Sequence, residues 1–130
     1  MDKTITLRTL SRISLVDITH EVAEAVAEIG IQDGAVVVYV PHTTAAVTVN
    51  ESADPDVARD IETALTKLVP SSQSYSHTEG NADAHIKASL IGCSQTILVR
   101  GGELVLGTWQ GVFFCEFDGP RSRNVLVAAL

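Results

Sequence analysis

From Gln95 to Ala129 the chain shows no helical period, and this all-strand final third is the strongest constraint on its fold. Gln95 to Arg100 and Leu104 to Leu106 read as strands joined at Gly101-Gly102, a plausible hairpin turn. Gly111 to Phe117 sets Phe113, Cys115 and Phe117 on one side against Val112, Phe114 and Glu116 on the other. A D-G-P-R turn leads to a last strand, Asn124 to Ala129. Strands that follow one another with turn-length gaps exclude a purely alternating βαβ sheet.

The first two-thirds supply the helices. Thr4 to Thr9 alternates with Ile5 and Leu7 inward, a half-buried strand. Asp17 caps a helix whose Ile18, Val22, Ala25 and Ile29 share a face and which Gly30 stops. Ala35 to Val40 is a continuous β-branched run, expected to be buried on both faces. Pro41 ends it, His42 stands at its exit, and Thr43 to Asn50 alternates as a further strand. Asp54-Pro55 starts a helix, with Val57, Ile61, Leu65 and Leu68 as its apolar stripe and Pro70 as its end. The linker from Ser71 to Ser74 is too short to separate domains. The expectation is one α+β domain spanning 1–130, with two packed, largely antiparallel sheets and about three helices on one side.

A length of 130 residues suits a single core, and with 45% apolar but only 5% aromatic residues that core must be aliphatic. The formal charge of −7 argues against a nucleic-acid or anionic-membrane partner. Cys93 and Cys115 lack CxxC spacing and read as small buried hydrophobes in a reducing compartment. The start, M-D-K-T-I-T-L-R, lacks a signal-peptide h-region, and no run approaches a membrane span, so the expected location is cytoplasmic.

Polar chemistry concentrates between Tyr75 and Gly92, Y-S-H-T-E-G-N-A-D-A-H-I-K-A-S-L-I-G. A loop with His77, Glu79, Gly80 and Asn81 passes into a short helix carrying His85 and Lys87. Asn81 or Asp83 is its expected cap, Ile86 and Leu90 its buried stripe, and Gly92 its left-handed stop.

His42, His77 and His85 come from a strand exit, a loop and a helix start. Three neutral imidazoles with an open fourth position make a catalytic zinc arrangement, although any one histidine alone reads first as a hydrogen-bonded surface residue. His20 lacks such neighbours and is expected in solvent. Glu51 and Glu79 are candidate general bases or partners of a ligating imidazole, or ordinary loop carboxylates. Glu116 shares a strand face with Val112 and Phe114, where a carboxylate needs a partner. Arg121 and Arg123 supply that partner, or instead bind a substrate phosphate through the guanidinium fork. Lys87 lies about 200° around the helix from His85, facing substrate or solvent. Trp109 reads as core, with stacking on a heteroaromatic ring as its other role.

Five blocks, H-T-T-A-A-V-T-V-N-E, A-D-P-D-V, the Tyr75–Gly92 stretch, L-G-T-W-Q-G and E-F-D-G-P-R-S-R, resemble the YjbQ family of secondary thiamine-phosphate synthase enzymes, in order and over essentially the whole chain. The resemblance implies an α+β sandwich, a homotrimer and a metal held by histidines. It also implies a transferase activity joining a pyrimidine diphosphate to a thiazole phosphate with release of diphosphate. Imidazole ligands select zinc, whereas diphosphate transfer usually employs magnesium with oxygen ligands. A zinc-dependent hydrolase of a phosphorylated small metabolite is therefore the alternative enzyme, and a non-catalytic metal or phosphometabolite binding protein the alternative class.

Overall fold

Period-2 alternation sorts each strand's side chains onto two faces, and antiparallel pairing then assembles the faces into two sheets. The computed structural model describes residues 2–130. Among them, eight strands and three helices follow in order: β1 (Asp2–Arg8), β2 (Ser14–Asp17), α1 (Thr19–Ile29), β3 (Gly34–Tyr39), β4 (Ala45–Glu51), α2 (Pro55–Leu68), α3 (Ala82–Ile91), β5 (Ser94–Arg100), β6 (Glu103–Leu104), β7 (Gln110–Glu116) and β8 (Ser122–Ala129). The five-stranded sheet has the order β1-β8-β3-β5-β6 and the three-stranded sheet β2-β7-β4. Every pairing is antiparallel.

One core fills the space between the sheets. Val36 and Val38 of β3, Val125 and Val127 of β8, and Ile97 and Val99 of β5 meet Val47, Val112 and Phe114 of the smaller sheet. Val22, Ala25 and Val26 of α1 complete it. Each such aliphatic side chain contributes roughly 1.5–3 kcal/mol by leaving water. A second core lies on the other face of the three-stranded sheet, where Ala46, Cys115 and Phe117 meet Leu65 of α2 and Ala84 and Ala88 of α3.

The α+β class, the two antiparallel sheets and the three helices are as the sequence reads. The helices are divided, however: α1 packs on the five-stranded sheet, while α2 and α3 cover the three-stranded one. The outer face of the five-stranded sheet is therefore open. β3 is not buried on both faces, since Tyr39 is exposed and Ala35 and Val37 are half-buried.

Four local expectations are corrected. Asp17 ends a strand, Ser14–Asp17, and Ile18 holds the N-cap position of α1 in its place, with Ile13 and Leu15 packed on the second core. The hairpin turns at Gly101-Gly102, both at positive φ, but its return strand is only Glu103–Leu104, and Val105 is exposed. Ile86 and Leu90 are exposed, because α3 buries its small face, Ala84 and Ala88, against β4. Cys93 is exposed, whereas Cys115 is buried and burial pushes its thiol up to about 12. Asp54 does cap α2, accepting from the Asp56 N–H at 2.9 Å, and Pro55 follows it.

Candidate functional site

One end of the sandwich gathers the exit of β3, the start of β4, the β7–β8 turn and the N-terminus of α3. Two adjoining clefts open there and share His42, Thr43 and His85. The polar one, about 410 Å³, is also walled by Thr44, Glu79, Asn81, Asp118, Arg121 and Arg123. The more apolar one, about 530 Å³, runs along Ala45, Ala88, Ser89, Gly92 and Cys93.

Beneath the polar cleft lies a closed ionic knot. Glu116, the last residue of β7, is fully buried. Its Oε1 accepts from Thr9 Oγ1 at 2.7 Å and Arg123 Nε at 2.8 Å. Its Oε2 accepts from Arg123 Nη2 and from the Phe117 and Asp118 N–H groups, both at 3.1 Å. Burial alone would raise this carboxyl's pKa, but the hydrogen bonds from Arg123 and Thr9 outweigh it and hold Glu116 below the usual carboxylate range. Arg123 also donates from Nη2 to Thr44 Oγ1 at 2.9 Å. The choice left open by the sequence is thus resolved: Arg123 pairs Glu116. A carboxylate with five donors has no lone pair poised for a substrate proton, so Glu116 is a structural residue and not a catalytic one.

Arg121 differs. It stands half-exposed, donating from Nε to the Asp118 carbonyl at 2.8 Å and from Nη2 to Asp118 Oδ2 at 3.0 Å. Its Nη1 makes no hydrogen bond among the described residues and is free for an anion. Asp118 also accepts from Asn81 Nδ2 at 2.9 Å. Burial works against its charge, and the Asn81 and Arg121 bonds more than offset that, leaving its pKa lowered.

His42 is fixed by the Asn124 N–H, which donates to its Nε2 at 2.9 Å. A backbone N–H only donates, so the neutral ring carries its proton on Nδ1. Burial, reinforced by the neighbouring charge of Arg123, lowers its pKa and favours that neutral form. His77 and His85 meet edge to face with ring centroids 5.2 Å apart. His77 Nε2 lies 3.0 Å from Asn81 Oδ1 and 3.8 Å from Glu79 Oε2. His85 lines both clefts with His42, whereas His77 lines neither and shares a separate groove with His85, Tyr75 and Ile86. Among the described residues no three His, Cys, Asp or Glu side chains converge as a metal cage. The His77–His85 pair suits zinc in donor type, whereas the Nε2 lone pair of His42 is engaged by Asn124, and that ring must turn to join them.

The helix carrying His85 is anchored by buried charge. Asp83 accepts the two amino groups of Arg12, at 3.0 and 3.2 Å, and Lys87 Nζ at 2.8 Å. Burial opposes the Asp83 carboxylate, but these bonds prevail and lower its pKa, while the same bond raises that of Arg12. Lys87 is completely buried and on neither cleft wall, its ammonium committed to Asp83, so it holds α3 rather than facing a substrate. Asn81 occupies the N-cap position without capping, its amide being engaged by His77 and Asp118.

Two candidates lie at the far end of the sandwich. β4 begins at Ala45, opposite Glu116, and ends at Glu51, opposite Gln110, about 20 Å away at 3.3 Å per residue. Glu51 accepts from the Asp54 N–H and supports the start of α2. Trp109, just before β7, is 62% exposed and so not core, and its place beside Gln110 sets it at the end of β4 away from His42. Glu79 stays at the cleft rim, exposed, and His20 is exposed beside Glu24. Asp118, Thr9 and Arg12 are members of these networks that the sequence did not single out, and it marks Asn81 only as a helix cap. Only Asn81 and Asp118 carried a signal, by lying inside conspicuous polar blocks.

Comparison with known proteins adds the lineage. The family described as "UPF0047 protein YjbQ-like" matches residues 3–130. UPF0047 protein MJ1081 of Methanocaldococcus jannaschii is 54% identical, the match covering 93% of this chain and 88% of that protein. UPF0047 protein YugU of Bacillus subtilis is 47% identical over 98% and 97% of the two chains. A crystal structure of a YjbQ/UPF0047 family protein from Clostridium acetobutylicum superposes with a TM-score of 0.96 at 52% identity, covering 98% of this chain and 99% of that one.

Proposed function

The chain belongs to the YjbQ-like UPF0047 family, and from that premise we propose that it is a metal-dependent enzyme acting on a small phosphorylated metabolite in the His42–His85 cleft. One observation carries the reading: a guanidinium with a free amino group and two imidazoles share the wall of a single groove. Phosphate oxygens accept from Arg121 Nη1 and from the Nδ1–H of His42, and charge-assisted bonds of this kind are the strong ones. Thr43 and Thr44 flank that position, and the apolar cleft beyond Ala45 and Ala88 accommodates an uncharged ring.

Zinc is the metal proposed, held by His77 and His85 with His42 recruited by release of Asn124. When bound, it supplies Lewis-acid polarisation of a phosphate oxygen or a water. The reaction implied by the family resemblance is a condensation: the thiazole nitrogen attacks the pyrimidine methylene, and the methylene–oxygen bond breaks with its electron pair leaving on diphosphate. Arg121 and His42 stabilise that departing charge; the thiazole nitrogen carries no proton to lose, so Glu79 at the rim has a proton to take only in the hydrolase alternative, from the attacking water. The assembly proposed is a closed homotrimer, and the open outer face of the five-stranded sheet, with exposed Tyr39, Leu98 and Leu130, offers apolar area for it. A monomer in sedimentation equilibrium at micromolar concentration defeats that part.

The test is turnover by purified protein carrying defined zinc. Product from pyrimidine diphosphate plus thiazole phosphate supports the transferase. Hydrolysis across a phosphoester panel supports the zinc hydrolase instead. Binding without turnover of any of these makes the protein a metal or phosphometabolite binder.

A further inference from the structure

A neutral imidazole has one N–H and one lone pair, and the neighbours of each nitrogen decide which is which. At His77 the contact of Nε2 with Asn81 leaves the direction open by itself, because a carboxamide offers either its oxygen or its NH₂. The far end of the amide closes the question. It lies 2.9 Å from Asp118 Oδ2, a carboxylate oxygen that only accepts. The same oxygen already takes an N–H from Arg121 at 3.0 Å. Asn81 therefore gives its NH₂ to Asp118 and turns its oxygen to His77, so His77 Nε2 is the donor. The other group near that nitrogen, Glu79 Oε2 at 3.8 Å, is also an acceptor.

We infer that Asp118, acting through Asn81, is a positioning residue that holds His77 as its Nε2–H tautomer and leaves Nδ1 as the lone-pair atom. The inference deepens the proposed function, since it rests on His77 serving the site beside His85, and it names the atom through which His77 binds a metal or takes a proton. His42 is set the opposite way, with its proton on Nδ1. One carboxylate oxygen thus ties the anion-facing guanidinium to the tautomer of an imidazole on a different element. Asn81 stands at the N-cap of α3 without capping it because both ends of its amide are committed to this chain of contacts.

Long-range proton–nitrogen correlation spectra of the histidine rings test this in full-length, nitrogen-15-labelled protein, metal-free and ligand-free at pH 8, with His77→Gln supplying the assignment. Wild-type His77 is expected to show a protonated Nε2, a pyridine-like Nδ1 and an exchange-protected Nε2–H proton. Asp118→Ala and Asn81→Ala are each expected to move both ring nitrogens toward averaged two-tautomer shifts and to lose that proton signal, with His42 unchanged. A wild-type His77 protonated on Nδ1 overturns the inference, and so does an Nε2–H pattern that survives both variants. Neither metal nor phosphate is present, so failure of the proposed function leaves this result standing, and the reverse also holds.

Discussion

Arg121 and Arg123 stand two residues apart beside the β7–β8 turn, and each faces an acid, yet they belong to different kinds of region. Around Arg123 the donors and acceptors match: Glu116, Thr9, Thr44 and two backbone N–H groups close on one another away from water. Around Arg121 they do not, since one amino group is free, the side chain is half-exposed and a cleft lies in front of it. Internally matched charge positions the chain, whereas unmatched charge at a cleft wall is available to a ligand. The sequence presents both as basic residues after a D-G-P turn, and only the tertiary partners separate them.

The largest effect should follow from breaking the knot. Arg123→Ala leaves the Glu116 carboxylate buried without its cation, and breaking a buried pair costs about 3–5 kcal/mol. Urea unfolding should show this loss, while Arg121→Ala should stay within about 0.5 kcal/mol of wild type, as exposed positions do. Equal losses in the two variants would erase the distinction between the regions.

Gly119 sharpens the comparison, because the turn packs onto the knot. A Cβ there would stand 2.3 Å from the Ser11 carbonyl oxygen, 2.8 Å from Glu116 Cγ and 2.8 Å from Thr9 Oγ1. Gly119→Ala should therefore destabilise by about 1–3 kcal/mol, the usual range for overpacking. An unshifted thermal melt would mean that the turn does not seat against Glu116. Third in size is a change in affinity without a change in fold. Arg121→Lys keeps the charge but cannot hold Asp118 and present a fixed free amino group to the cleft at once, so inorganic pyrophosphate should bind roughly tenfold more weakly by calorimetry while melting is unaltered. Unchanged affinity would remove Arg121 from the site.

How much of this was legible depends on whether a feature is local. β7 and the Asp54-Pro55 helix start were readable because their signals, alternation and a cap, lie within a few residues. α3 departs from its sequence pattern because its buried face is Ala84, Lys87 and Ala88, so the apolar stripe of Ile86 and Leu90 points outward. Lys87 is buried only because Asp83 is held by Arg12, 71 residues away in sequence, and nothing around Arg12 announces that. The histidine cleft was partly visible: His42 and His85 do share a wall, but the bond from Asn124 to His42 is a long-range backbone contact that no side-chain pattern encodes. Trp109 and Glu51 are candidates by residue type alone, and the register of β4 on β7 sends them to the far end.

The smallest effect separates the two regions by pH. Glu116, Asp83 and Asp118 have folded pKa values below their ordinary ones. Their stabilisation is complete above the unfolded carboxylate range of about 4 and is lost as pH falls through the folded values. His42 is also depressed, by burial and by Arg123, from an unfolded value near 6.5. Below that pH the unfolded chain binds more protons at this position than the folded one. Stability should accordingly decline as pH falls from about 6.5, well before the carboxylates respond. The side chain is partly exposed, so solvent screening keeps the decline shallow. His42→Gln cannot titrate and should flatten this part of the curve between pH 7.5 and 5.5, leaving the steeper acid limb in place. Chemical denaturation at several pH values would resolve the two windows. An identical slope in wild type and His42→Gln would show that protonation of His42 in the cleft is not linked to folding.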